Sequence, residues 1–109
     1  MILWNDFEKV EMRVGTIIEV LDFPGARNPS YQLTIDFGES GIKKSSAQIT
    51  ALYSKEALMN KQVIAVVNFP PKQIANFFSE CLVLGVVGDD KEITLLMPER
   101  KVKNGLRIA

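Results

Sequence analysis

From Tyr31 to Phe37 apolar and polar residues alternate without a break: Tyr31, Leu33, Ile35 and Phe37 fall on one face, Gln32, Thr34 and Asp36 on the other. An extended strand turns that period of two into one dry face and one wet face, so the segment must border a core on one side only. Neighbouring segments extend the theme. Gly38 to Gly41 (GESG) reads as a turn, with Ile42 to Ile49 as its return strand. Arg13 to Leu21 (RVGTIIEVL) is a β-branched run in which Gly15 signals a bulge or a close backbone approach. Gln62 to Phe69 (QVIAVVNF) is continuously apolar, the text of a fully buried strand, and Pro70 with Pro71 ends it. Leu82 to Val87 and Ile93 to Met97 flank Gly88, Asp89 and Asp90 as a hairpin, and Val102 to Ile108 adds a short strand around Asn104 and Gly105.

Helical text is brief. Trp4, Phe7 and Val10 recur at a three-residue spacing behind a cap at Asn5 or Asp6, which predicts a short helix. Ser54 caps a second helix of about two turns, SKEALMN, ending at Asn60. Phe23 to Ser30 (FPGARNPS) is a loop, and Lys72 to Ser79 is read as one more short helix or a loop. No repeat, low-complexity stretch or linker divides the 109 residues, which are read as a single domain. A domain of this size buries roughly two-thirds of its unfolded surface without needing metals or disulfides. Five or more short strands with brief helices predict an all-β class and a small, nearly closed barrel. The Ser54 helix falls between the third and fourth main strands, which favours a five-stranded OB-fold over a sandwich.

Composition limits the chemistry. There is no His and one Cys, Cys81, so histidine-dependent relays, His-containing zinc sites, internal disulfides and multi-cysteine metal clusters are excluded. The expectation is therefore no catalytic residues, no metal and no cofactor. Asp89 and Asp90 read as turn residues, and Cys81 as a small buried hydrophobe. The longest apolar run, Cys81 to Val87, is far short of the roughly 20 residues of a membrane span. The text before Trp4 does not read as a signal peptide, and a free thiol suits a reducing compartment, so a cytoplasmic location is expected. Thirteen basic residues balance 13 acidic ones. That neutrality argues mildly against nucleic acid, although residues 1–24 hold 2 basic and 5 acidic groups whereas residues 25–88 hold 6 and 4.

Three stretches carry a family resemblance: FEKVEMRVGTIIEVLDFPGARNPSYQLTIDFGE, ALYSKEALMNKQVIAVVNFPPKQI and SECLVLGV. Within them RVG at Arg13 to Gly15, Ala26 to Pro29 leading into Tyr31, IDFG at Ile35 to Gly38 and VVNFPP at Val66 to Pro71 are specific in combination. Together the chain resembles the tRNA-binding OB domain family, most closely its CsaA branch, over about residues 7 to 109. The resemblance implies a non-enzymatic protein. The CsaA branch implies a homodimeric chaperone that binds unfolded or precursor polypeptides for export, and the wider family implies tRNA binding. Ala47 and Gln48 stand where tRNA-binding relatives tend to carry Ser-Gly, and Ser79, Glu80, Cys81, Leu82 where they carry Ser-x-Gly-Met. Both changes follow the CsaA pattern.

Candidate ligand residues, for peptide or tRNA, lie around one expected barrel face. Arg27 is placed to pair with a phosphate or carboxylate and Asn28 to bond a ligand backbone, against the plainer reading of turn chemistry and a solvated arginine. Adjacent Lys43 and Lys44 must point to opposite faces of a strand, so only Lys44 joins the patch, and Lys43 reads as an edge lysine. Asn68 and Lys72 bracket a rigid Phe-Pro-Pro turn; Asn68 is favoured to satisfy loop backbone, Lys72 to meet ligand. Phe77 and Phe78 cannot both face one core, so one is expected to be exposed beside Ser79 for stacking or apolar contact. Tyr31, by its alternation, belongs to the core. Trp4, Phe7 and Val10 at one end and Met97, Leu106 and Ile108 at the other exceed what a five-stranded barrel needs, and the resemblance implies that these ends form a dimer interface.

Overall fold

The computed structural model describes residues 1–109. In chain order the elements are α1 (Trp4–Glu8), β1 (Met12–Asp22), β2 (Tyr31–Asp36), β3 (Ile42–Ala47), α2 (Lys55–Leu58), β4 (Gln62–Val66), β5 (Lys72–Ile74), β6 (Phe77–Ser79), β7 (Leu82–Val83), β8 (Gly85–Val87) and β9 (Ile93–Leu95). The GESG turn is a short 3-10 helix, Gly38–Ser40. The alternating run forms β2 with the faces expected: Tyr31, Leu33 and Ile35 are buried.

A five-stranded antiparallel sheet runs in the order β3-β2-β1-β4-β7. β1, eleven residues long, pairs its first half with β4 (Met12 opposite Val66 to Thr16 opposite Gln62) and its second half with β2 (Thr16 opposite Asp36 to Asp22 opposite Tyr31). One long strand shared by two neighbours curls the sheet until β3 returns beside β6 and β7, leaving a nearly closed barrel of the OB type. A Cβ on Gly15 would lie 2.6 Å from Ile35 and 2.7 Å from the Phe37 ring, so this glycine marks a close approach. The bulge lies further on, at Ile18 between Ile17 and Glu19, where the register with β2 shifts.

The core gathers Ile17, Leu33, Ile35, Phe37 and Val63, and Leu58 from α2 closes it. The Ser54 hydroxyl accepts from the Ala57 N–H at 3.1 Å, and Asn60 turns into the left-handed region at φ 67°, as the helix signals predicted, but the helix is a single turn, Lys55–Leu58, and not the two turns expected. Asn60 N–H then donates to the Ile17 carbonyl at 2.9 Å, tying the helix exit to β1. The Tyr31 hydroxyl donates to the Tyr53 carbonyl at 2.8 Å, and the Tyr53 hydroxyl accepts from Leu95 N–H at 3.0 Å. Tyr31 is thus a core residue that ties β2 to the segment before α2, and Tyr53 ties that segment to β9.

Several local expectations are corrected. α1 begins at Trp4, so neither Asn5 nor Asp6 is the cap; Asp6 sits in the first turn, where its carboxylate accepts from Leu3 N–H at 2.8 Å. β4 stops at Val66 because β1, its partner, begins at Met12, and Asn68 and Phe69 emerge into solvent. Lys72 to Ser79 is neither helix nor loop but the hairpin of β5 and β6, with Lys72 opposite Ser79. Phe77 anchors it on Phe23, ring centroids 5.3 Å apart. The tail Val102 to Ile108 forms a single bridge, Arg13 with Arg107, and not a strand. Gly105, at φ 91°, crosses so close to the Phe37 carbonyl that a Cβ would sit 2.5 Å from it, and the Asn104 amide is occupied with Thr16 and Gln62.

Candidate functional site

Where β3 meets β6 and β7 the barrel closes largely through side chains. Lys44 N–H donates to a Glu80 carboxylate oxygen at 2.9 Å, Ser46 N–H donates to the Ser79 hydroxyl at 3.1 Å, and the Ser45 hydroxyl donates to the Cys81 carbonyl at 2.9 Å. One backbone bond, Glu80 N–H to the Lys44 carbonyl at 2.7 Å, crosses the same seam. Side chains of Ser79 and Glu80 stand here in place of a second strand's carbonyls. The Glu80 charge is directed at backbone N–H.

Beyond this seam the walls part into a groove of about 480 Å³ between Ser46 to Ile49 on one side and Cys81 to Gly85 with Val87 on the other. Nine of its fourteen lining residues are hydrophobic and Lys72 is the only charged one. Ile49, Ile74, Val83 and Ile93 supply an apolar floor that a ligand with apolar side chains can dry.

The structure brings most of the sequence-derived candidates to this region. Lys72 and Ser79 face each other across the β5–β6 pair and both line the groove. Lys44 holds the seam by its backbone while its side chain is exposed, and Lys43 is half-buried, so the two lysines do take opposite faces. Phe78 is 55% exposed, whereas Phe77 is partly buried against Phe23. That contact draws the loop of Arg27 and Asn28, both exposed, toward the hairpin. Arg27, Lys44 and Lys72 have no carboxylate partner within ion-pair distance. Asn68 is engaged elsewhere: its amide accepts from Glu11 N–H at 3.0 Å and donates to the Lys9 carbonyl at 2.8 Å, pinning the chain between α1 and β1.

Sequence reading missed Glu80 and Ser45 as seam residues, and Gly85 and Val87 as groove walls. Ser45 did carry a signal: it shares the inward face of β3 with Ala47, where a buried hydroxyl must find a partner. Cys81 is buried and its thiol is pushed up to about 11, first by desolvation, so it stays protonated at neutral pH. No group of three or more Cys, Asp or Glu side chains is arranged to hold a metal ion, and no helix is long and apolar enough to cross a membrane.

The end segments lie apart from the groove. Ile2, Leu3, Trp4 and Phe7 meet Ala109 around an open trough lined only by hydrophobic residues, with Trp4 85% exposed. Ile108 N–H donates to the Met12 carbonyl, the Leu106 carbonyl accepts from Val14 N–H, and the Arg107 guanidinium donates to the Glu8 carbonyl, so tail and α1 lie side by side. Val10 lies at the exposed end of that segment, while Met97 lines a different, polar depression with Lys61 and Arg100.

Comparison with known proteins agrees with this geometry. The family model described as a putative tRNA binding domain matches residues 12–107. The crystal structure of the chaperone CsaA from Bacillus anthracis str. Ames superposes with a TM-score of 0.96 at 47% identity, covering 100% of this chain and 99% of that one. The CsaA chaperone of Picrophilus torridus gives 0.94 at 55% identity, covering 100% of both chains. The methionine–tRNA ligase of Thermococcus onnurineus is 34% identical over 105 residues, 96% of this chain but only 14% of the ligase. This chain therefore spans about a seventh of the length of such synthetases. With its barrel, its motifs and near-complete coverage in agreement, the chain belongs to the tRNA-binding domain family, as a domain of the CsaA type.

Proposed function

We propose that this protein is a non-enzymatic homodimeric chaperone that captures unfolded or precursor polypeptides for export and works in the cytoplasm. The observation that carries the reading is the groove: hydrophobic over most of its lining, with one cation at its rim. A surface built to hold a polyphosphate backbone relies on several cations, because affinity there comes mainly from charge neutralisation. A polypeptide gains instead from burying apolar side chains on Ile49, Val83 and Ile93. Phe78 adds an apolar contact outside the groove, with Phe77 supporting the hairpin behind it. Lys72, Lys44 and Arg27 favour acidic over basic flanks, and Asn28 and Ser79 offer hydrogen bonds to a bound chain. Asn68 contributes by fixing the turn that precedes β5.

The homodimer reading rests on the apolar residues at the chain ends, Trp4, Val10 and Leu106, which are exposed, and Phe7 and Ile108, which are half-buried; Met97, exposed in a separate depression, would join them only at the edge of the interface. Their burial between two copies would place two grooves on one particle and raise avidity for a long client. Sedimentation giving only a 12.2 kDa particle at micromolar concentration would overturn it.

A second reading, a structure-specific tRNA binder, is favoured by the family match and by three exposed cations without carboxylate partners, Arg27, Lys44 and Lys72. Titration with bulk tRNA and with an unfolded precursor segment across a salt series separates the two. The chaperone reading expects salt-tolerant polypeptide binding and weak tRNA binding; tight tRNA binding with a steep negative salt slope would replace it.

A further inference from the structure

Backbone groups along one wall of the groove lack partners in a regular pattern. Leu84 N–H donates to the Ile64 carbonyl at 2.9 Å, and its carbonyl accepts from Leu96 N–H at 3.1 Å. Val86 stands opposite Thr94, and Gly88 N–H donates to the Glu92 carbonyl at 2.7 Å. The even-numbered residues thus spend their peptide groups on β4 and β9. In an antiparallel ladder successive residues direct these groups to opposite edges, so those of Val83, Gly85 and Val87 point the other way. No strand pairs with that edge: β8 and β9 form a sheet of only two strands, and β7 is the last strand of its own sheet. All three residues line the groove. On the facing wall Gln48 continues the parity of Lys44 and Ser46, and its N–H and carbonyl make no hydrogen bond within the fold.

We propose that an extended polypeptide segment docks here as an added strand on the free edge Val83–Val87, held chiefly by main-chain hydrogen bonds. The inference rests on the polypeptide reading above and specifies how the client is recognised. An extended peptide presents donors and acceptors alternately at strand spacing, which is the pattern this edge leaves open; an RNA backbone presents phosphate acceptors and ribose 2′-hydroxyls, without that N–H and C=O alternation. Every second side chain of the added strand enters the apolar groove. Lys72, the one charge in the lining, selects against a basic residue at that point. Recognition through the main chain is tolerant of sequence, which suits capture of unrelated unfolded segments.

The test uses the wild-type protein and a capped ten-residue peptide alternating valine with serine, together with two versions N-methylated on alternate residues in one register or the other. Methylation in one register should weaken binding roughly tenfold or more, and in the other should leave it nearly unchanged. Val87→Pro removes one edge donor that no β9 bond uses, and should weaken the parent peptide about fivefold, whereas Val87→Thr, which keeps the N–H and alters only one groove-wall side chain, should weaken it by clearly less than that. If both methylated peptides and the Val87→Pro protein bind with undiminished affinity, the strand mode is wrong and side chains alone hold the client. If the wild-type protein binds neither the parent peptide nor an unfolded precursor, the polypeptide reading itself falls, and the strand mode with it.

Discussion

The two sides of this barrel are held by different means. On the β1–β2–β3 side, long antiparallel ladders pair Asp22 through to Thr16 with β2, broken only by the bulge at Ile18, and Tyr31 through to Asp36 with β3, over a fully buried row of Ile17, Leu33 and Ile35. On the side of β6, β7 and β8, strands are two or three residues long, and closure depends on the carboxylate of Glu80 and the hydroxyls of Ser45 and Ser79. The first arrangement satisfies its backbone internally and fixes the shape. The second leaves peptide groups and apolar side chains at the surface, and the groove lies there. A small barrel can thus keep stability and adhesion on separate walls.

The contrast can be broken most strongly from the ladder side. Leu33→Ala should cost about 3–4 kcal/mol in urea unfolding, whereas Leu82→Ala, half-exposed at the groove, should cost less than about 1 kcal/mol. Equal losses would mean that the two walls do not differ in their hold on the fold. Next in size is a pH effect at the seam. Burial raises the Cys81 thiol from 9.0 to about 11, so the folded state retains a proton that the unfolded chain releases above pH 9. Stability supplied by the neutral thiol is complete below pH 9 and is lost between pH 9 and 11, by about 2–3 kcal/mol; Cys81→Ala should remove that slope from the unfolding profile.

Smaller again is Ser45→Ala, which strips the Cys81 carbonyl of its buried donor and should cost about 1–2 kcal/mol, measured by thermal and urea unfolding. Phe77→Ser should cost about as much, since it removes the ring packed on Phe23. Phe78→Ser sharpens the comparison from the other end: a change in stability of less than about 0.5 kcal/mol, with a measurable loss of affinity for an unfolded precursor. Undiminished affinity in both phenylalanine variants would remove the hairpin from the client surface.

Legibility in the sequence follows the same division. The ladder side was readable because period-two alternation in Tyr31 to Phe37 and the β-branched run from Arg13 are local signals of buried faces. The Ser54 helix was readable from its cap and from Asn60. On the open side the strands are too short for a period to register, so the β5–β6 hairpin at Lys72 to Ser79 read as helix or loop. Its anchor, Phe77 on Phe23, is a contact between distant residues that no local pattern carries. The C-terminal tail misread for a related reason: one crossing at Gly105 and one amide, Asn104, decide its path. Among site residues, the exposure of one of the two adjacent phenylalanines followed from strand geometry, but which one depended on Phe23. The seam role of Glu80 was not legible, because sequence cannot show that Lys44 N–H lies 2.9 Å from its carboxylate.

The central claim, that the loosely tied wall is where a client binds and the ladder wall is not, meets its most direct test in amide hydrogen exchange of the full chain with and without an unfolded precursor. The account predicts new protection at Val83, Gly85, Val87 and Gln48, with the amides of β1 and β2 unchanged. Protection appearing on β1 and β2, or appearing at the groove with tRNA and not with polypeptide, would contradict it.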